Sequence, residues 1–103
     1  MVDWYRHHGY ELIARNWRCR NGEIDIVAER SGVLVFCEVK TRATDRFGSP
    51  AHAVNLDKQR RLRRLAVAWM SEHGRRNVRL RFDVACVVGL DGSPSIEVIE
   101  AAF

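Results

Sequence analysis

Two stretches of strict alternation dominate the chain. Gly22-Glu23-Ile24-Asp25-Ile26-Val27 sets acids between aliphatic residues, and Val35-Phe36-Cys37-Glu38-Val39-Lys40 repeats the pattern with an acid and a lysine. A period of two is the signature of a strand with two unlike faces. Ser31-Gly32 lies between the stretches, so strands over Glu23–Glu29 and Val33–Thr41 should form a hairpin. Upstream, Val2–His8 reads as a helix closed by Gly9, then Tyr10–Trp17 as a strand that turns at Asn21-Gly22.

Downstream the period changes. Arg42–Pro50, with Gly48-Ser49-Pro50, reads as a loop, and Ala51–His73 as a helix. Leu62, Leu65, Ala66, Trp69 and Met70 recur at the spacing of one helix face, which Lys58 and Gln59 extend towards the N-terminal end. Gly74 is a natural stop, and strands at Arg79–Val88 and Ile96–Glu100 flank an Asp91-Gly92 turn. The order helix, three strands, helix, two strands predicts the α/β class, with one mixed β-sheet flanked by helices. At 103 residues the chain should be one domain, 1–103, with a modest core.

Composition narrows the function classes. No run approaches the 18 or more apolar residues of a membrane helix, and Asp3, Arg6, His7 and His8 replace the apolar core of a signal peptide. The expectation is a cytoplasmic protein without membrane contact. Cys19, Cys37 and Cys86 are odd in number and lack metal spacing, so they are expected to be reduced, the last two as buried hydrophobes. The four histidines are dispersed, and Trp69 belongs to the helix core stripe. Net charge is +4, and its distribution says more than its size. Arg60, Arg61, Arg63 and Arg64 cluster on the long helix, with Arg75 and Arg76 beyond it. Such clusters suit a polyanion, and a solvated helix face is the plain alternative.

The hairpin carries the candidate chemistry. A carboxylate on a sheet face is costly unless paired, hydrogen-bonded or bound to metal. Asp25 precedes Glu38 by thirteen residues, a gap that suits two strands and a short turn, and Glu38 and Lys40 leave one strand on the same side as Leu34 and Phe36. Two carboxylates with a main-chain carbonyl, that of Val39, would leave a magnesium ion room for water and a phosphate oxygen. Lys40 would then orient or deprotonate the attacking water, or neutralise charge growing on the phosphate. The alternative is an internal salt-bridge cluster without catalysis. Glu23 is read equally as a supporting acid or an exposed edge. Lys58 and Gln59 are candidate contacts to the scissile phosphate, against simple solvation of a helix end. Asp83 is expected to pair a nearby lysine or arginine, and Arg42 is either its partner or a phosphate contact.

These residues resemble a known family. Asp25 and Glu38-Val39-Lys40 look like the signature of the PD-(D/E)XK nuclease superfamily, with its restriction-endonuclease-like fold. More closely, Gly22-Glu23-Ile24-Asp25, Phe36-Cys37-Glu38-Val39-Lys40-Thr41-Arg42, Phe47-Gly48 and Arg81-Phe82-Asp83-Val84 resemble the bacterial YraN-type family, which is similar to archaeal Holliday-junction resolvases. The resemblance implies metal-ligand roles for Asp25 and Glu38 and a catalytic role for Lys40, with magnesium or manganese as cofactor. It also implies a first helix shortened at its start: no glutamate precedes Glu11, and Asp3 does not match the family's extra acid. This form is therefore expected to bind DNA better than it cuts it.

Three functions stay in view. The first is a metal-dependent endonuclease-like protein acting on structured or branched DNA, where cutting two strands would favour a two-fold homodimer. The second is a catalytically inactive nucleic-acid-binding module of the same fold. The third is a protein-interaction domain that uses the basic helix.

Overall fold

The computed structural model describes residues 1–42, 54–76, 78–89 and 95–103. The Asp91-Gly92 turn, all of the Arg42–Pro50 loop except Arg42, and the expected helix start at Ala51 lie outside them. The elements are α1 (Val2–His7), β1 (Glu11–Cys19), β2 (Gly22–Arg30), β3 (Val33–Arg42), α2 (Leu56–Glu72), β4 (Arg79–Val88) and β5 (Ser95–Ile99). The strands form one sheet in the order β1-β2-β3-β4-β5, with β3–β4 parallel and the other pairs antiparallel. A parallel neighbour needs a crossover, and α2 supplies it. This is a mixed five-stranded sheet flanked by helices, as the element order predicts.

Local chemistry explains the boundaries. Ser31 and Gly32 both take positive φ (52° and 78°) between the partners Arg30 and Val33, as a type I′ hairpin turn demands. The other turn falls one residue before its expected place, because Cys19 pairs with Gly22 and leaves Arg20-Asn21 as the loop. Gly22, at φ 143°, lies so close to α2 that a Cβ there would meet Leu65 at 3.3 Å. The long helix starts at Leu56 and not at Ala51: Val54 and Asn55 are non-helical, and the Asn55 side chain accepts the Lys58 N–H at 2.9 Å. This N-cap satisfies one of the donors that a helix start leaves unpaired.

Two cores sandwich the sheet. On one side Leu62, Leu65, Ala66 and Trp69 of α2 pack on Ile24, Val27, Leu34, Phe36 and Phe82. On the other, Tyr5 of α1 packs with Tyr10, Ile26, Ala28, Val35, Cys37 and Ala85. Cys37 and Cys86 are buried free thiols, as expected, and burial pushes the Cys37 thiol up to about 12. Asp83 is fully buried on the α1 side, where it accepts hydrogen bonds from Tyr5 Oη, Arg81 Nε and Nη2 and the Ala101 N–H at 2.8–3.1 Å. Its partner is thus Arg81. Arg42 has no part in this network among the described residues; its guanidinium donates to the Thr41 carbonyl at 3.5 Å. No helix among the described residues is long and apolar enough to cross a membrane.

Candidate metal and phosphate site

The site opens where β2 leaves β3. Pairing of these strands ends at Ile26 opposite Cys37. Ile26 lies in the α1-side core while Ile24, two residues earlier, lies in the α2-side core, so the alternation breaks at Asp25. β2 is paired to β1 on either side of this break, Arg15 with Ile26 and Trp17 with Ile24, and Asn16 between them takes a φ of 53°. The gap left beside β3 receives the Asp25 carboxylate, whose Oδ2 accepts the Val39 N–H at 2.8 Å. An extended residue sends its N–H and C=O towards the same neighbour, which turns the Val39 carbonyl to this side of β3 as well.

Glu38 and Lys40 lie beside the fork. Lys40 Nζ stands 3.3 Å from Glu38 Oε1, and both side chains are only 16% exposed. Burial raises the Asp25 carboxyl above its ordinary value, and the charges of Glu38 and Glu23 raise it further; the Val39 N–H and Lys40 oppose them. Lys58 reaches the same place from the first turn of α2. The nearby Lys40 lowers the proton affinity of its ammonium below that of an ordinary lysine. The fold therefore brings Asp25, Glu38, Lys40 and Lys58 together from β2, β3 and α2.

Other candidate residues are engaged elsewhere. Glu23 is half-buried and pairs with Arg18 at 3.0 Å, so it is not a bare edge acid, and its charge still acts on Asp25. No sequence motif singles out Arg18; the hairpin register, which sets it opposite Glu23, is the signal that finds it. Gln59 donates from Nε2 to the Val54 carbonyl at 3.2 Å, which binds the helix start to the chain before it.

The arginine cluster divides. Arg60, Arg61, Arg63 and Arg64 are not equivalent, and they do not share one face. Arg63 lies over the Phe82 and Phe103 rings at 4.8 and 5.4 Å, on one flank of α2. Arg61 lies beside Gly22 on the other flank. Arg75 is withdrawn from the group by Glu29, 2.9 Å away, whereas Arg76 is exposed.

Among the described residues no three His, Cys, Asp or Glu side chains converge as a metal cage. Two carboxylates do converge, and magnesium is commonly held by one or two carboxylates with water and substrate phosphate. Asp25, Glu38 and the Val39 carbonyl fit that donor set. The available chemistry is two carboxylates and a main-chain carbonyl, with the ammonium groups of Lys40 and Lys58 nearby.

Comparison with known proteins places the chain in a family. The profile of the family described as "Uncharacterised protein family UPF0102" matches residues 1–87. The UPF0102 protein of Rhodococcus jostii is 50% identical over 96 residues, covering 92% of this chain and 81% of that protein. One from Parafrankia sp. is 51% identical over the same length, and one from Mycolicibacterium gilvum is 50% identical over 102 residues, covering 96% and 83%. Asp25, Glu38, Lys40 and Lys58 all fall within the matched residues, and the chain belongs to the UPF0102 family.

Proposed function

We propose that this chain is an endonuclease-like protein that binds structured or branched DNA and hydrolyses its phosphodiester backbone with magnesium or manganese. The observation that carries the reading is the fork in the sheet, where Asp25 holds the Val39 N–H at 2.8 Å beside the Glu38–Lys40 pair. A sheet seldom opens its ladder to admit a carboxylate, and bare half-buried ion pairs are weak stabilisers. A use at the surface is the better account of the arrangement.

Asp25, Glu38 and the Val39 carbonyl would hold the ion, which when bound polarises a phosphate and makes water more acidic. The Val39 N–H fixes one oxygen of Asp25 and leaves the other free. Lys40, released from Glu38, would orient the attacking water and neutralise charge that grows on the phosphate in the transition state. Exposed arginines of α2 would supply sequence-independent attraction for the backbone.

One observation favours a second reading, a binding module without turnover. Lys40 is paired to Glu38, and no third acid joins Asp25 and Glu38 among the described residues. A panel of duplex, flap, single-stranded and four-way-junction substrates with magnesium and manganese separates the two. Cleavage that Asp25→Ala and Glu38→Ala each reduce by more than the roughly 10–100-fold typical of a supporting residue upholds the enzyme. Binding without cleavage of any substrate leaves the module.

A further inference from the structure

The turn between β1 and β2 carries charge that the fold does not use. Cys19 pairs with Gly22, so Arg20 and Asn21 form a two-residue loop. Turn chemistry accounts for Asn21 and for Gly22 with its positive φ, but it asks nothing of Arg20, which is exposed. Among the described residues Arg20 forms no ion pair. Arg18, on the strand beside it, meets the half-buried Glu23 at 3.0 Å while its own side chain is 78% exposed. A pair this exposed contributes little to stability and gives way readily to a stronger anion.

The same turn shapes a surface. Arg18, Cys19, Arg20, Gly22 and Glu23 line an open cleft of about 340 Å³. Helix α2 closes on it from the side: a Cβ on Gly22 would meet Leu65 at 3.3 Å and Cδ of the exposed Arg61 at 3.8 Å. Leu65 is buried in the core, so the turn and the Arg61 flank of α2 are held in a fixed relation. Three arginines thus gather at this tip against one carboxylate. The tip is also tied to the fork, because β2 runs from Gly22 to Asp25 in three residues, about 10 Å of strand. One strand of duplex DNA advances about 3.4 Å per nucleotide, so the tip lies about three nucleotides from a phosphate held at the fork.

We propose that Arg18, Arg20 and Arg61 form a clamp on the nucleic-acid backbone about three nucleotides away from the bond at the fork. A guanidinium suits this task, since its planar face of donors can hold two phosphate oxygens at once. Such contacts carry no sequence information; they set the register and the direction in which the duplex leaves the fork. The choice of a phosphodiester backbone as the occupant rests on the function proposed above.

Cys19 supplies a probe within the cleft, because it is half-buried while Cys37 and Cys86 are buried and serve as internal controls. Labelled duplex DNA is titrated in EDTA over a range of salt with parent protein, Arg20→Ala, Arg20→Lys and the double variant Arg18→Ala/Arg20→Ala. Arg20→Ala is expected to flatten the slope of log K against log salt by about 0.9, the double variant by about 1.8, and Arg20→Lys to retain it. In the parent alone, saturating duplex is expected to slow alkylation of Cys19 by the small neutral reagent iodoacetamide, read by mass spectrometry. An unchanged slope in both alanine variants, or a Cys19 rate indifferent to saturating DNA, overturns the clamp. With the parent still binding and cutting DNA, that failure leaves the nuclease reading intact. A parent that binds no DNA overturns the proposed function and the clamp with it.

Discussion

Asp25 is destabilising when ionised, and that cost is the mark of a residue kept for use. Burial, followed by the nearby Glu38 and Glu23 charges, holds its carboxyl above the 3.8 of a free side chain. The folded chain therefore binds this proton more tightly than the unfolded chain. Stability from this residue is present at low pH and falls as pH rises through and above the ordinary carboxylate range. Asp25→Asn keeps an acceptor for the Val39 N–H and removes the charge. Its melting temperature is expected to exceed the parent's at pH 7, with the difference closing as pH falls below about 4. Melts of both proteins between pH 3 and 7 check the sign. A parent as stable as the variant at pH 7 would mean that water solvates the ionised group adequately.

At the scale of elements, α2 both seals a core and aims a side chain, and its start governs the second task. Asn55→Ala should cost about 1 kcal/mol by loss of the cap. For a chain of this size that corresponds to a fall of about 4–8 °C in melting temperature, measurable by calorimetry. The helix stripe is legible in the sequence because Leu62, Leu65, Ala66 and Trp69 repeat at the helical period, and all four are buried. Its start is less legible, since apolar Ala51, Ala53 and Val54 continue the pattern before Asn55 interrupts it. The hairpin β2–β3 is as legible as the stripe, because alternation and Ser31-Gly32 are local signals. Its divergence at Asp25 is not: the alternation runs unbroken through Ile24 and Ile26, and only their assignment to opposite cores reveals the twist. The convergence of Asp25, Glu38 and Lys40 is foreseeable from strand register. The arrival of Lys58 near Lys40 depends on how α2 lies across the sheet, which no local pattern encodes.

Over the whole molecule, a net charge of +4 underdetermines where a polyanion would lie, because packing uses some cations and leaves others. Arg75 is tied to Glu29 across 46 residues of sequence, and Arg63 rests on the Phe82 and Phe103 rings. Among the described residues Arg60 pairs only with the highly exposed Asp57 at 4.0 Å, a pair that water and salt screen almost completely. Arg64 is exposed on the same outward side of α2, four residues from Arg60 and so one turn along. These two lie in line to follow a phosphate backbone along the outer side of α2, with the Lys58 end of the helix leading from them to the fork. Replacing both with alanine should flatten the salt slope for duplex DNA by about 1.8, the value of two phosphate contacts, and weaken binding to all sequences alike. Arg75→Ala should leave the slope as it is and lower stability by about 0–1 kcal/mol through loss of the Glu29 pair. Anisotropy titrations in several salt concentrations, with melts of each variant, measure both effects. A slope that responds to Arg75 and not to Arg60 and Arg64 would move the nucleic acid from the outer side of α2 to its C-terminal end.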